Sequence, residues 1–389
     1  MSFAEDSALR ARLRRFALRM AGVAVLLAWL ISPACSSSRA LAEAEQAILG
    51  ALELDALEEA GDSAGFDVSG TLSRLLAGDL DPPAALAEMA GGAVRAVAGD
   101  LGGLAASLAV PAAVSLLARL ALPGGASARR TVRFVCRAAS VAALAGCYAQ
   151  LAGQAEALMD EILRCSDALA PAMIAAVALS GAETTAAALT PMSAVCADLI
   201  QNLLCRWGIA LSSAAAGIAI AGNLSDGIPL KRLYGLFRQV MQWGTGLLLA
   251  AFFGALTIQG RLGAGRDSVA ARTARYAIES LVPVIGGNVS DSLDSLLSTA
   301  FSVKNALGAT GLALLIAASF APVVRIALTS LALKVVSAVS EPLGDDGLTA
   351  MAAQFAGAAE MLLVACLAAL LLCAMLTGSC MSAAGNVVR

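Results

Sequence analysis

The 389-residue chain contains no histidine. That absence removes the usual proton shuttle near neutral pH and the commonest metal ligand, so His-based triads and zinc sites are excluded. Charged residues are also scarce, at 14% against roughly 25% in an ordinary soluble domain. The net charge is only -3, and the 26 basic residues form no long tract. Nothing is left to track a phosphate backbone, so no nucleic-acid partner is expected. The nine cysteines contain no CxxC pair. Isolated in apolar sequence, Cys136, Cys147, Cys165, Cys196, Cys205, Cys366, Cys373 and Cys380 read as small hydrophobes, and Cys35 falls in the leader. Intramembrane proteolysis lacks its chemistry as well: no histidine stands as base, and Asp198, Asp291 and Asp294 fall in no aspartyl-protease motif. An enzyme is not expected, nor a cofactor.

What the chain has in quantity is apolar sequence, 59% of it, mainly Ala, Leu and Val. The blocks are long enough to cross a hydrocarbon layer, for which about 20 helical residues suffice. The expectation is an all-α polytopic membrane protein with about six to eight spans, a re-entrant or broken helix, and a small helical extracytoplasmic N-terminal segment.

At the start, Arg10, Arg12, Arg14, Arg15 and Arg19 precede the apolar run Met20 to Ile31, and Pro33, a Ser-rich stretch and Ala40-Leu41-Ala42 follow. This is the layout of a secretory signal over residues 1–42, with cleavage between Ala42 and Glu43; the competing reading is an uncleaved anchor. Residues 43–103 form an acidic segment. Up to Asp100 it carries twelve acidic residues against Arg74 and Arg95, with apolar positions spaced as in short amphipathic helices and a break at Asp81-Pro82-Pro83. It reads either as a solvated helical subdomain or as a docking surface.

Residues 104–389 form the multi-pass domain. A first span near Leu104 to Leu122 leads to Arg129, Arg130, Arg133 and Arg137, a loop that the positive-inside rule places in the cytoplasm. A second span, 138–151, would return outward to the acidic stretch Glu156 to Asp167. Apolar blocks then fall near 168–190, 193–222, 241–260, 305–339 and 356–376, the fourth containing Pro322 and reading as one kinked helix or two spans. Basic loops at Lys231, Arg232 and Arg238 and at Arg261, Arg266, Arg272 and Arg275 flank one span, which leaves the downstream topology open. Small-residue stripes at four-residue spacing, Ser213, Gly217 and Ala221, then Gly246, Ala250 and Gly254, are candidates for helix packing.

Ionisable groups inside apolar blocks are costly unless they face protein or water. On that ground Glu183, Asp198, Arg325, Lys334 and Glu360 are candidate path-lining residues, with paired or interfacial charge as the alternative. Arg206 stands on the same block as Asp198. The stretch Thr273 to Gly311 is interrupted by Pro283, Gly286, Gly287 and Asn288, with Asp291 and Asp294 following. It reads as a re-entrant or broken helix lining a path, or as an amphipathic helix on the membrane surface. A faint repeat pairs Pro171 with Pro283, and Asn223-Leu224-Ser225-Asp226 with Pro342-Leu343-Gly344-Asp345, as in transporters built from two halves.

The run Lys231-Arg232-Leu233-Tyr234-Gly235-Leu236 through Trp243 to Gln259-Gly260, then Thr273-Ala274-Arg275 and Val282-Pro283-Val284-Ile285-Gly286-Gly287, resembles the stage III sporulation protein AE family, and Glu341-Pro342-Leu343 extends the likeness. The resemblance implies one membrane subunit of the channel, or feeding-tube, complex joining mother cell and forespore, placed in the mother-cell (outer forespore) membrane and required for late forespore gene expression. It implies the lipid bilayer and other membrane subunits of that complex as partners, admits a homo-oligomer, and transfers no catalytic residues. An autonomous small-solute permease with two pseudo-repeated halves is the alternative.

Overall fold

The computed structural model describes residues 50, 54–76, 126–224, 230–281, 286–341 and 346–383. Among these the chain forms α1 (Asp55–Ala64), α2 (Val68–Leu76), α3 (Ala126–Leu179), α4 (Glu183–Asp198), a π-helix (Leu199–Gly208), α5 (Ile209–Leu224), α6 (Lys231–Leu281), α7 (Gly286–Ser340) and α8 (Asp346–Ser382). Among the described residues, five helical stretches are long and apolar enough to cross a membrane: Arg137–Leu179, Glu183–Asn223, Arg232–Gln259, Leu297–Ser340 and Gly347–Ser382. The protein is an all-helical membrane protein. The expected signal segment with Ala42 and Glu43, and the expected span at 104–122, lie outside the described residues.

Within the acidic segment, residues 54–76 form two short helices with apolar residues on one side. Gly65, at φ +66°, closes α1 by letting its own N–H reach the Asp62 carbonyl, and the Asp67 carboxylate caps α2 by accepting from the Gly70 N–H at 2.8 Å. Leu57, Val68 and Leu72 are buried, and the pair docks on α3 and α7.

Three expected loops are helix instead. The acidic stretch 156–167 does not separate two spans, because α3 runs unbroken from Ala126 to Leu179. Charge suggested a loop, but spacing decides: Leu158, Ile162, Cys165 and Leu169 are buried on one face, while Glu156, Asp160, Arg164 and Asp167 are exposed on the other. Similarly, both basic clusters lie along the single helix α6 rather than in loops. At about 1.5 Å per residue such a helix far exceeds a bilayer, so its basic groups extend beyond both ends of its apolar part. Pro171 sits inside α3 and Pro322 inside α7, so neither heads nor divides a helix.

A tight turn at Gly181, φ +85°, reverses the chain between α3 and α4, and only a residue without Cβ enters that region at no steric cost. α8 is apolar on all sides and touches every other long helix, so it forms the axis of the bundle. Its Ala352, Ala356, Ala359, Ala365 and Ala369 are buried, and these small side chains let neighbouring helices approach. Gly308 and Gly311 of α7 serve the same end, since a methyl there would overlap Met381 and Leu169 respectively.

Contacts along α8 fix the register. α6 runs parallel to it, with Tyr234 at Gln354 and Arg238 at Glu360. α7 runs antiparallel, with Ser337 at Thr349, Ser330 at Ala356 and Lys304 at Met381. α3 is parallel, with the Tyr148 ring tilted at 60° against Phe355, centroids 6.1 Å apart, and Cys366 3.9 Å from the Ala155 carbonyl. The helix 183–224 is antiparallel, with Ser212 at Ala358 and Gly208 against Ala365.

Candidate functional site

Polar groups in this bundle collect at three places. The first is a charge clamp on the N-terminal half of α8. Glu360 accepts from Arg238 Nη2 of α6 at 2.9 Å through Oε2, and its Oε1 pairs with Lys334 Nζ of α7. One carboxylate, 25% exposed, thereby joins three helices and offsets two cations. Neutral groups continue the clamp toward the start of α8. The Tyr234 hydroxyl donates to the Gln354 carbonyl at 2.7 Å, Asn223 Nδ2 donates to Gln354 Oε1 at 2.9 Å, and Ser212 donates to the Ala358 carbonyl at 2.8 Å while sharing a 2.6 Å bond with Tyr148. Gly357 makes room, because a side chain there would overlap the Tyr234 hydroxyl. Without a hydrophobic drive between helices in lipid, such bonds set which helices meet.

The second place is the far end of α8. Lys304 of α7 is 1% exposed, and its ammonium donates to the Met381 carbonyl at 2.9 Å and also to the Ala383 carbonyl. The last turn of a helix leaves carbonyls without intrahelical donors, and a cation there also meets the negative end of the helix dipole. The Phe301 ring lies 5.1 Å from the same ammonium.

The third is an open cleft of about 640 Å³ between α3 and the helix 183–224, lined by Asp160, Leu163, Arg164, Asp167, Ala197, Asp198, Gln201 and Asn202. A ladder runs along its rim: Asn202 donates to Asp198 Oδ1 at 2.6 Å, and Arg206 donates to Asn202 Oδ1 at 3.4 Å. The ladder lies on the π-helix, whose buried side is Ile200, Leu204, Cys205 and Gly208. Arg164 pairs with Glu161 on α3.

Of the residues singled out by sequence, Lys334 and Glu360 meet in the clamp, and Asp198 lies in the cleft. Glu183 is exposed in the first turn of α4, and Arg325 is half-buried on α7. Gly286, Gly287, Asn288, Asp291 and Asp294 lie on the first turns of α7, and Pro283 lies outside the described residues. Of the packing stripes, Ser213, Gly217, Ala221, Gly246 and Ala250 are exposed and Gly254 is half-buried, and among the described residues nothing lies within 4 Å of where a side chain would begin at Gly217, Gly246 or Gly254. Sequence reading missed Lys304, Arg238 as the clamp cation, and the cleft acids of α3. Helical spacing at Asp160, Arg164 and Asp167 was the available signal. For Lys304 there was none, since its partners are main-chain atoms far along the chain.

Seven cysteines, Cys147, Cys165, Cys196, Cys205, Cys366, Cys373 and Cys380, are free and buried in helix contacts. Among the described residues no group of three His, Cys, Asp or Glu side chains is placed to hold a metal ion. The polar groups here fasten helices and line a cleft.

The model of the stage III sporulation protein AE family matches residues 95–385. A curated relative, stage III sporulation protein AE of Bacillus subtilis (strain 168), is 27% identical over 181 residues, which cover 46% of this chain and 44% of the relative. The match thus spans less than half the length of that relative. No solved structure gives a significant match.

Proposed function

The chain belongs to the stage III sporulation protein AE family, and on that premise we propose that it is a membrane subunit of the channel complex joining mother cell and forespore during endospore formation. A role in sporulation follows from the family, and membrane embedding from the five apolar helices. The proposal goes further in three respects: membership of the complex, placement in the mother-cell (outer forespore) membrane, and a requirement for late forespore gene expression. The observation that carries it is the family match over residues 95–385, coinciding with a helical bundle whose clamp is built from helix-to-helix bonds rather than from reactive groups. Its role is assembly and conduction, not catalysis.

A clean deletion in the sporulating host, scored with a late-forespore reporter, tests the role. Silence restored by the wild-type gene is expected, and normal reporter output would refute it. Affinity purification of the chain from sporulating cells should recover other sporulation membrane proteins. Solute flux in vesicles containing this chain alone would favour an autonomous permease instead.

A further inference from the structure

Three helices carry a charge-free stretch at one level of the bundle. Residues 239–259 of α6, 305–324 of α7 and 361–381 of α8 contain no Asp, Glu, Lys or Arg. The contacts of Arg238 with Glu360 and of Lys304 with Met381 bring their ends into line. Each stretch rises roughly 30 Å, the thickness of a hydrocarbon core, and the clamp and the Lys304 cap stand at its two boundaries.

The cleft falls inside that layer. On α3, Ala155 is level with Cys366, and Ser166 and Leu169 share a small void with Cys373 and Leu376, so Asp160 and Arg164 lie between those two levels and Asp167 just beyond Ser166. On the opposing helix, Gly208 is level with Ala365 and Ser193 with Cys373, which brackets Asp198, Gln201 and Asn202. Three carboxylates, an arginine and two amides therefore stand on one open side of the bundle near mid-layer. At the same depth the α6 side presents Leu247, 73% exposed, with Trp243 and Phe253 also exposed. The first side is costly against lipid and the second is suited to it.

We propose that the face formed by α3 and the 183–224 helix around Asp160, Asp198 and Gln201 lines a water-filled path at mid-bilayer depth, while the α6 face meets lipid. The proposal rests on the channel reading for its purpose, and on the register of the charge-free stretches for its geometry.

The test is site-resolved thiol labelling of the full chain in native membranes of sporulating cells. Asp160→Cys, Asp198→Cys and Gln201→Cys are compared with Leu247→Cys, each in the otherwise native sequence. A small quaternary-ammonium maleimide is applied, and each site is read by peptide mass spectrometry. Only a hydrated thiol yields appreciable thiolate, so cleft sites should label at least about tenfold faster than Leu247→Cys and the buried native cysteines. Retained sporulation by each variant certifies the fold, and Gln201→Ser, which keeps polarity, checks that the cleft tolerates change. Cleft sites that stay silent in membranes overturn the proposal; if they label only after detergent dispersion, the face is covered by another protein. Rapid labelling of Leu247→Cys also overturns it, because the layer would then be misplaced. Failure of the channel reading shows separately, as a late-forespore reporter that stays active in the deletion while this labelling pattern persists.

Discussion

Replacing Lys304 with methionine should loosen the end of the helix on which the whole bundle is centred. Methionine keeps most of the stem's length and apolar volume and removes the ammonium, so the change isolates two bonds, to the carbonyls of Met381 and Ala383. A hydrogen bond to a charged group contributes about 1.5–3 kcal/mol, and the two carbonyls lie where water cannot readily replace the donor. Against this stands the cost of keeping a 1%-exposed ammonium out of water, several kcal/mol, which the substitution relieves. The balance is a net loss of about 1–3 kcal/mol, concentrated in the last turn of α8. Lys304→Ala should cost more, because it adds a cavity of the kind that makes Met→Ala cost about 2–5 kcal/mol. The buried native cysteines supply the assay: a thiol-reactive dye reports unfolding in detergent, and thiol labelling below the midpoint reports local fraying. Cys380 lies in the affected turns and Cys366 several turns earlier, and both are buried. The expected result is a midpoint lowered by several degrees in the order wild type, Met, Ala, with Cys380 losing protection before Cys366. A methionine variant as stable as wild type, with Cys380 as protected as Cys366, would refute the reasoning.

Glu360→Gln should leave Arg238 and Lys334 facing each other without their shared counter-charge, lowering the midpoint; a double-mutant cycle with Arg238→Ala should show coupling on the order of 1 kcal/mol, and no coupling would remove the clamp from the account. Gly311→Ala should cost about 1–3 kcal/mol by overlapping Leu169, and Leu169→Ala should be less harmful in that background than alone, which thermal midpoints of the four proteins will decide. Ser212→Ala removes the donor to the Ala358 carbonyl and the partner of the Tyr148 hydroxyl, for a loss of about 1–2 kcal/mol measured in the same way.

Membrane embedding, helical class and the family were legible because each rests on properties summed along the chain. Apolar blocks announce spans, and the 59% hydrophobic content admits no other solvent. The clamp was half legible: Lys334 and Glu360 stood out as charges in apolar sequence, but Arg238 looked like one of several basic loop residues until α6 proved to be a single helix. The acids of α3 misled for a related reason. Counting charge between 156 and 167 suggested an external loop, whereas their three- and four-residue spacing placed them on one face of an unbroken helix. Small-residue stripes discriminate less. In a chain this rich in alanine and glycine many faces qualify, and the ones used inside the bundle, Gly308, Gly311, Gly357 and the alanines of α8, are chosen by which helices are neighbours.

By itself, the sequence determined the solvent, the helical class and the lineage, because hydropathy, helix propensity and motif are properties of short stretches read in order. Only the tertiary structure decided that α8 is the axis, that Glu360 binds cations from two other helices, that Lys304 caps a helix nearly eighty residues further on, and that the charges of α3 and the 183–224 helix share one open face. The reason is that these are matters of register between long helices. Register is set by the sum of many weak contacts and a few polar bonds across large sequence separations, and no local pattern encodes it.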